Sequence, residues 1–242
     1  MDQDFLSNIE LYYSPSPIKN DVITIDGDEF KHLTKVMRHN SGDTIYVTTG
    51  SGVIYKSEII NITKVELNCR IIENYIYKDN FKNIVFCLPL LKSTDRFEFA
   101  LEKSVELGIT NIIVYKAERS VAKGNKLERW NKIALAAMKQ SLRSYLPKIE
   151  FKESLKEINN FEGDKILFDQ NFVKSINWYA DNLSKHSSSS KQYFIFGPEG
   201  GLTDNEIQTF SNPIKLKLAA NRLRSESAAV YAAAILNSFL VE

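Results

Sequence analysis

The chain has 242 residues, of which 43% are hydrophobic and 25% are charged, and its formal net charge at pH 7 is +1. This is the composition of an ordinary globular protein, long enough for one large domain or two smaller ones. It excludes an overall polybasic or polyacidic chain, so any nucleic-acid partner must be recognised through a local patch of charge.

The residues that could bind metal or form disulfides are few. Cys69 and Cys87 lie in apolar stretches, which predicts buried thiols in a reducing compartment, and the histidines show no ligand spacing, so no metal is expected. The acidic beginning does not resemble a signal peptide, and no apolar run reaches the roughly 18 residues that span a bilayer. These features predict a cytoplasmic protein.

The first part of the chain is rich in strand patterns. Alternating or β-branched runs such as "DVITID", "TIYVTTG" and "GVIYKSEIINIT" predict strands. Between them, "DEFKHLTKVMR" predicts a short helix, with Phe30, Leu33, Val36 and Met37 at helical spacing. The polar cluster "YKDNFKN" predicts a boundary, so residues 1–77 are expected to form a small barrel-like domain.

Strands and helices alternate in the remainder, which predicts a second domain over residues 80–242. "NIVFCLPL", "ITNIIVYK", "DKILFDQ", "QYFIFG" and "PIKLKL" predict strands, separated by helices such as "RFEFALEKSVELG". This alternation predicts an α/β fold with a mostly parallel sheet. The polar stretch at 184–191 is expected to be a mobile loop, and the last helix is expected to run from Ser225 to Leu240.

The stretch "FGPEGGLTDNEI", residues 196–207, follows a predicted strand and leads into a helix. Thr203 and Glu206 have the spacing of a capping box, which predicts that the glycine-rich turn ends at a helix N-terminus. Glycines allow a ligand to approach the backbone closely. The stretch is therefore consistent with a tight connection or with a ligand-binding turn, but its spacing does not match a dinucleotide or P-loop motif.

The stretch "LRSESAAVYAAAIL" places charged residues before an apolar helix. Ser225 is at the N-cap position and Glu226 in the first turn, where the helix dipole favours a carboxylate. The helix body is apolar nearly all round, which predicts burial on every side. Arg222 and Arg224 directly precede it, and an arginine there is expected to be paired or to face a site.

Local charge is concentrated in one segment. Residues 116–148 contain nine Lys or Arg and two Glu. A solvated helix face and a phosphate-binding surface both explain this pattern. A second basic cluster, "KVMRHN", lies in the first domain, and two clusters in two domains fit a long polyanion better than a small metabolite.

Together these motifs resemble the RsmE family of ribosomal RNA uracil-N3 methyltransferases, within the knotted SPOUT class. The resemblance is carried in order by "HLTKVMRHNSGD", "LLKSTDRFEFALEKSVELGI", "AERSV", "ERWNKIALAAMKQSLRSYLPKI", "FGPEGGLTDNEI" and "LRSESAA". It implies a PUA-like first domain, a trefoil-knotted second domain, S-adenosylmethionine as methyl donor, a homodimer and a uridine of small-subunit ribosomal RNA as target. The chain departs from the family pattern at two positions. Ala219 stands where the family has glycine. Asn221 stands where the family has arginine, and Arg222 is the next residue.

The resemblance also implies roles for individual residues. Arg224 is expected to stabilise charge on the uracil, and Glu199 or Glu226 to accept its proton or to act as a structural anchor. The donor is expected to contact Phe168, Phe196, Gly197, Pro198, Glu199, Gly200, Gly201, Leu218, Ala219, Leu223, Arg224 and Ser225. Contacts with RNA are expected from Arg38, Lys92, Arg96, Arg119, Lys123, Gln140 and Arg143.

Two rival interpretations remain at this stage. A non-enzymatic RNA-binding or ribosome-assembly factor would use the basic clusters but leave the glycine-rich turn purely structural. A small-molecule methyltransferase would use the turn but leave the first domain and the basic segment without a role.

Overall fold

The computed structural model describes residues 8–122, 124–180 and 190–240. Contacts within the chain divide it into two compact units. The first unit consists of the chain up to Asp79 together with the later segment Met138–Leu146. The second unit consists of Asn80–Ala137 and the chain from Pro147 onward. Within the described ranges, none of the helices has the length and apolarity needed to span a bilayer.

A five-stranded sheet forms the core of the first unit, in the order β1-β3-β4-β5-β2. Its strands are β1 (Leu11–Tyr13), β2 (Val22–Asp26), β3 (Thr44–Thr48), β4 (Val53–Ile62) and β5 (Glu66–Ile76). The β1–β3 pair is parallel and the other pairs are antiparallel. Alternation places Ile23 and Ile25 of β2 and Leu67 and Cys69 of β5 in one buried cluster. Two register shifts between β4 and β5 interrupt the ladder, which is how bulges bend a strand.

The predicted helix of the first unit changes its pitch halfway along. Helix α1 (Gly27–Lys31) continues into a π-helical turn at His32–Val36, where the amide of Met37 donates to the carbonyl of His32 at 3.0 Å. A π turn holds more residues than an α turn, which rotates the following side chains around the axis. Phe30 and Leu33 are buried, whereas Val36 and Met37, at and just after the end of the π turn, are 63% and 38% exposed.

The segment Met138–Leu146 completes the first unit, a membership that periodicity along the chain did not predict. The amide of Gly52 donates to the carbonyl of Ser144 at 2.9 Å, and the amide of Leu146 donates to the carbonyl of Gly50 at 2.9 Å. The ammonium of Lys139 lies 2.6 Å from Oε2 of Glu29. Backbone pairing and a mostly buried ion pair thus hold this distant segment in place.

A parallel six-stranded sheet forms the second unit, in the order β11-β9-β10-β6-β7-β8. Its strands are β6 (Ile84–Pro89), β7 (Asn111–Tyr115), β8 (Lys148–Lys152), β9 (Asp164–Phe168), β10 (Gln192–Ile195) and β11 (Ile214–Leu216). Its helices are α2 (Thr94–Glu106), α3 (Leu127–Gln140), whose last three residues belong to the first unit, α4 (Leu155–Asn159), α5 (Ile176–Ala180), α6 (Asp204–Gln208) and α7 (Ser225–Leu240). Every residue of β6 is buried, as expected for a parallel strand covered on both faces. The α/β prediction with a parallel sheet is confirmed.

The strand order predicts which edge of this sheet binds a ligand. From β6 the chain builds outward through β7 and β8, and then returns to the other side of β6 through β9, β10 and β11. Open parallel sheets bind ligands beyond the carboxyl ends of their strands, where the order reverses. The loops after β9, β10 and β11 lie on that side. The stretch at 184–191 predicted as a loop lies mostly outside the described residues.

Helix α7 corrects one expectation. Its alanines Ala229, Ala232 and Ala233 are buried, and α7 packs against α2 and α5. Tyr231 and Phe239 are nevertheless 41% and 45% exposed. The prediction of burial on every side was wrong for the single chain, because an apolar helix at the surface covers only the face that meets its neighbours.

Candidate active site

A cleft of about 870 Å³ lies beyond the carboxyl ends of β9, β10 and β11. This volume is within the range of pockets that hold cofactor-sized ligands. Every residue expected to contact the donor lines this cleft: Phe168, Phe196, Gly197, Pro198, Glu199, Gly200, Gly201, Leu218, Ala219, Leu223, Arg224 and Ser225. The structure therefore brings three separate stretches of sequence to one site.

The turn at residues 197–202, here called the glycine turn, has a defined shape. The amide of Gly201 donates to the carbonyl of Pro198 at 2.8 Å, and Gly201 has φ +71°, a conformation that side chains disfavour. The hydroxyl of Ser225 donates to the carbonyl of Gly197 at 2.6 Å, which ties the start of α7 to the turn. Thr203 and Glu206 form the predicted capping box at the start of α6. The turn is thus fixed on both sides.

Glu199 is exposed at the edge of the cleft, and its carboxylate is engaged by backbone. Its Oε1 accepts a hydrogen bond from the amide of Lys92 at 3.2 Å. Its carbonyl lies 3.5 Å from Nη2 of Arg222, at the limit of a hydrogen bond. The side chain therefore links the glycine turn to the loop after β6.

Glu226 is buried in the first turn of α7 and does not line the cleft. Its Oε1 lies 3.6 Å from Nε of Arg96, while its Oε2 has no hydrogen-bond partner among the described residues. A buried carboxylate oxygen without a partner is costly. Its nearest cation is an arginine that does line the cleft.

Several arginines surround the cleft: Arg96, Arg119, Arg222 and Arg224. Arg224 is exposed, and its guanidinium makes no hydrogen bond or ion pair with the described part of the chain. Carboxylates are also present, since Asp169, Asp204 and Glu199 line the same cleft. The site can therefore bind a ligand that carries both signs of charge.

The other residues expected to contact RNA are dispersed. Lys92 is exposed next to the glycine turn, through the hydrogen bond to Glu199. Arg38 is exposed in the first unit with φ +60°, and Gln140 is exposed in the segment Met138–Leu146. Arg143 lies in that segment too, where burial lowers its pKa, an effect partly opposed by the charge of Asp79. Lys123 lies outside the described residues.

Carboxylates pair with three of the nine cations of the basic segment. Arg129 pairs with Glu98 of α2, with Nη2 2.7 Å from Oε2. Lys132 pairs with Glu128 at 2.8 Å, and Lys139 pairs with Glu29 at 2.6 Å. Glu98 and Glu29 lie outside the segment and therefore reduce the excess of charge counted along the sequence, whereas Glu128 is already part of that count.

The sequence missed the loop that follows β9. Asp169, Gln170, Asn171 and Phe172 line the cleft directly after Phe168. Their placement follows from the adjacency of β9 and β10, because neighbouring parallel strands deliver their following loops to the same edge. Both strands are predictable from the sequence, but their adjacency in the sheet is not.

A buried tyrosine supports the glycine turn from below. The hydroxyl of Tyr115, at the end of β7, donates to the carbonyl of Phe196 at 2.5 Å. Burial and the nearby charge of Glu206 raise the pKa of Tyr115 well above its usual value. The phenol is therefore neutral and acts as a donor.

Among the described residues, no group of His, Cys, Asp and Glu is arranged to hold a metal ion.

Comparison with known proteins identifies the family. A family model described as "RNA methyltransferase domain" matches residues 78–237, and one described as "RNA methyltransferase PUA domain" matches residues 25–72. The Bacillus subtilis (strain 168) protein named "Ribosomal RNA small subunit methyltransferase E" is 30% identical over 222 residues, which cover 86% of this chain and 87% of the relative. The chain belongs to the ribosomal RNA small subunit methyltransferase E family. It is therefore a ribosomal RNA methyltransferase with a PUA domain, as the resemblance implied.

Other members extend the match along the whole chain. The Aquifex aeolicus methyltransferase E is 27% identical over 237 residues, covering 96% of this chain and 100% of the relative. A crystal structure of methyltransferase E from Neisseria gonorrhoeae, described as bound to S-adenosyl methionine, shares the fold with a TM-score of 0.78. It is 24% identical and covers 96% of this chain and 98% of that chain. The knotted path of the chain stays a prediction.

Proposed function

We propose that the protein transfers a methyl group from S-adenosylmethionine to N3 of a specific uridine in small-subunit ribosomal RNA. One observation carries this proposal: the glycine turn and residues 218–225 converge, with Phe168, on a single cleft at the carboxyl edge of the parallel sheet. The description of the Neisseria gonorrhoeae relative as bound to S-adenosyl methionine supports the choice of donor.

The chemistry of the donor suits the mixed charge of the cleft. S-adenosylmethionine carries a sulfonium, an ammonium and a carboxylate, and the cleft offers carboxylates and guanidinium groups. Phe168 and Phe196 stack on one another in the cleft wall, with ring centroids 5.0 Å apart, which supplies an apolar surface. We expect the main chain of the glycine turn and of residues 218–225 to contact the adenine and methionine parts.

The reaction requires uracil N3 to become nucleophilic. Uracil N3 first loses its proton to solvent water, which leaves the uracil anion. The N3–methyl bond then forms as the methyl–sulfur bond breaks, so the negative charge of the uracil and the positive charge of the sulfonium disappear together and the donor leaves as a neutral thioether. Arg224, exposed in the cleft and free to reach a substrate, is assigned to stabilise the uracil anion. Glu199 is assigned a structural role, because its carboxylate already accepts the Lys92 amide.

The exposed apolar surface of the second unit supports the expected homodimer. Tyr231 and Phe239 of α7 are exposed, and so is Phe99 of α2, a helix that packs against α7. Large apolar side chains that a single chain leaves exposed can be covered at a protein interface. We assign this surface to a second copy of the chain, the cytoplasm as the compartment, and ribosomal RNA contacts to Arg38, Lys92, Arg96 and Gln140.

The decisive experiment uses small ribosomal subunits from cells that lack the gene. Incubation with the protein and S-adenosylmethionine carrying a labelled methyl group is expected to produce 3-methyluridine at one position, located by mass mapping of nuclease fragments. A methylated position at another atom of uracil would contradict the N3 assignment. Absence of donor binding by calorimetry would contradict the proposed donor.

A further inference from the structure

The loop after β7, residues 116–120, packs against the glycine turn through several independent contacts. The guanidinium Nη1 of Arg119 donates to the carbonyl of Gly200 at 2.6 Å. The hydroxyl of Thr203 donates to Oε2 of Glu118 at 2.6 Å. At its other end the loop is fixed by Ser120, whose hydroxyl donates to the carbonyl of Leu90 at 2.8 Å. The loop is thus bonded both to the chain after β6 and to the chain after β10.

Glu206 joins this loop to α6. Oε2 of its carboxylate accepts the amide of Thr203 at 2.9 Å, which completes the capping box. Oε1 accepts the amide of Glu118 at 2.9 Å, so the same side chain also holds the residue before Arg119. Glu206 is only 3% exposed, which makes both bonds hard to replace by water.

The peptide unit between Gly200 and Gly201 is held at both ends. Arg119 holds its carbonyl, and Pro198 accepts its amide hydrogen. A peptide flanked by two glycines can rotate at little steric cost, so its orientation depends on these bonds. The stem of Arg119 also covers Gly200, since a Cβ added there would lie 3.2 Å from Cδ of Arg119.

We propose that Arg119 is a positioning residue for the methyl donor, fixing the orientation of the Gly200–Gly201 peptide from a loop that Glu206 and Thr203 hold in place. The proposal rests on the proposed function, in which the glycine turn binds S-adenosylmethionine. It assigns Arg119 to the donor rather than to the RNA phosphates. Its cation is used within the protein, and losing it frees a peptide that lines the cleft.

Calorimetry with S-adenosylmethionine and filter binding with small-subunit ribosomal RNA test the proposal together. Arg119→Met is expected to raise the donor Kd roughly tenfold, equivalent to about 1.4 kcal/mol, and to leave the salt dependence of RNA binding unchanged. Arg119→Lys keeps a cation that can reach the carbonyl, so a smaller rise is expected. Lys116→Met is the matched control, because it removes an exposed cation from the same loop and is expected to leave the donor Kd within twofold, roughly the error of the method.

The outcomes separate the two levels of inference. If the parent binds the donor and Arg119→Met binds it equally well, the positioning role is overturned while the proposed function stands. A lower salt slope for RNA binding with an unchanged donor Kd also overturns it, in favour of a phosphate contact. If the parent does not bind the donor at all, the proposed function and the positioning role fall together.

Discussion

The carboxylate of Glu199 accepts a hydrogen bond from the backbone amide of Lys92, which lies 107 residues earlier in the chain. The sequence left two roles open for this carboxylate, proton acceptor and anchor. The Lys92 amide needs an acceptor oxygen at this position. A neutral amide oxygen could serve as well as a charged carboxylate.

Replacing Glu199 by Gln separates the two roles. The amide oxygen of Gln can still accept the Lys92 amide, so an anchor predicts activity within about threefold of the parent and an unchanged pH profile. Glu199→Ala removes the acceptor and is expected to lower kcat/KM about tenfold or more. A base would behave differently, because Gln cannot accept the proton and would lower the rate about 100-fold or more.

Arg224 is expected to act on the chemical step. Arg224→Ala is predicted to lower kcat about 100-fold, the usual scale for losing one charge-stabilising donor, while the donor Kd changes by less than about threefold. Single-turnover methylation with saturating RNA gives the rate, and calorimetry gives the affinity. Arg222→Ala is a suitable comparison, since Arg222 points towards the Glu199 carbonyl and is expected to lower kcat far less. Equal losses in the two variants would contradict a specific role for Arg224.

Salt dependence should distinguish paired cations from unpaired ones. Lys92→Met is expected to reduce the slope of log K against log salt for RNA binding by about 0.7–1, the value for one phosphate contact. Arg129→Met is expected to leave that slope unchanged, because Glu98 already neutralises Arg129. Filter binding between about 50 and 200 mM salt covers the useful range. A reduced slope for Arg129→Met would show that Arg129 contacts an RNA phosphate in spite of its ion pair with Glu98.

The ion pair between Lys139 and Glu29 is expected to stabilise the first unit. Both side chains are mostly buried, and Glu29 also accepts the amide of Tyr13 at 2.7 Å. Lys139→Met is therefore predicted to lower the free energy of unfolding by about 1–3 kcal/mol, measured by urea denaturation. Lys132→Met, on the same helix, removes an exposed pair and is expected to change stability little. Similar effects from the two substitutions would contradict the claim that burial makes the Lys139–Glu29 pair the more stabilising one.

The two thiols are expected to be unreactive in the folded protein. Both cysteines are fully buried, and burial raises the pKa of Cys69 to about 12. At pH 8 the folded protein is expected to react with a disulfide reagent only as fast as it unfolds, whereas unfolded chain reacts at once. Unfolded thiols lose their protons near pH 8.5 and folded ones do not, so stability falls as pH rises above about 8.5. A rapid reaction of the native protein would contradict this.

Local patterns predicted the elements well and their long-range relations poorly. The strand, turn and capping box around Thr203 follow from residues close together in sequence, so they could be derived directly. The helix at Phe30 was also predicted, but the π turn that exposes Val36 and Met37 has no simple signature in residue spacing. The strand order of the sheet depends on which buried surfaces meet, and periodicity does not encode it.

The candidate site shows the same limit. Motifs brought the glycine turn and residues 218–225 to attention, while Asp169 and its neighbours carry no motif and enter the cleft only through the adjacency of β9 and β10. Counting charges along the sequence overestimated the basic surface. Glu29 and Glu98 neutralise cations that are distant in sequence, so a local sum overstates the charge of the folded surface.

The pairing between Gly52 and Ser144 has a consequence for biosynthesis. The amide of Gly52 is bonded to a carbonyl that the ribosome adds 92 residues later, so the first unit cannot finish packing when its own strands have emerged. A nascent chain long enough to bring residue 146 out of the ribosomal tunnel should protect this amide from hydrogen exchange, whereas a shorter one should leave it open. Equal protection in the two chains would contradict this order of events. The segment Met138–Leu146 is thus the last part to be synthesised of the unit whose strands are made first.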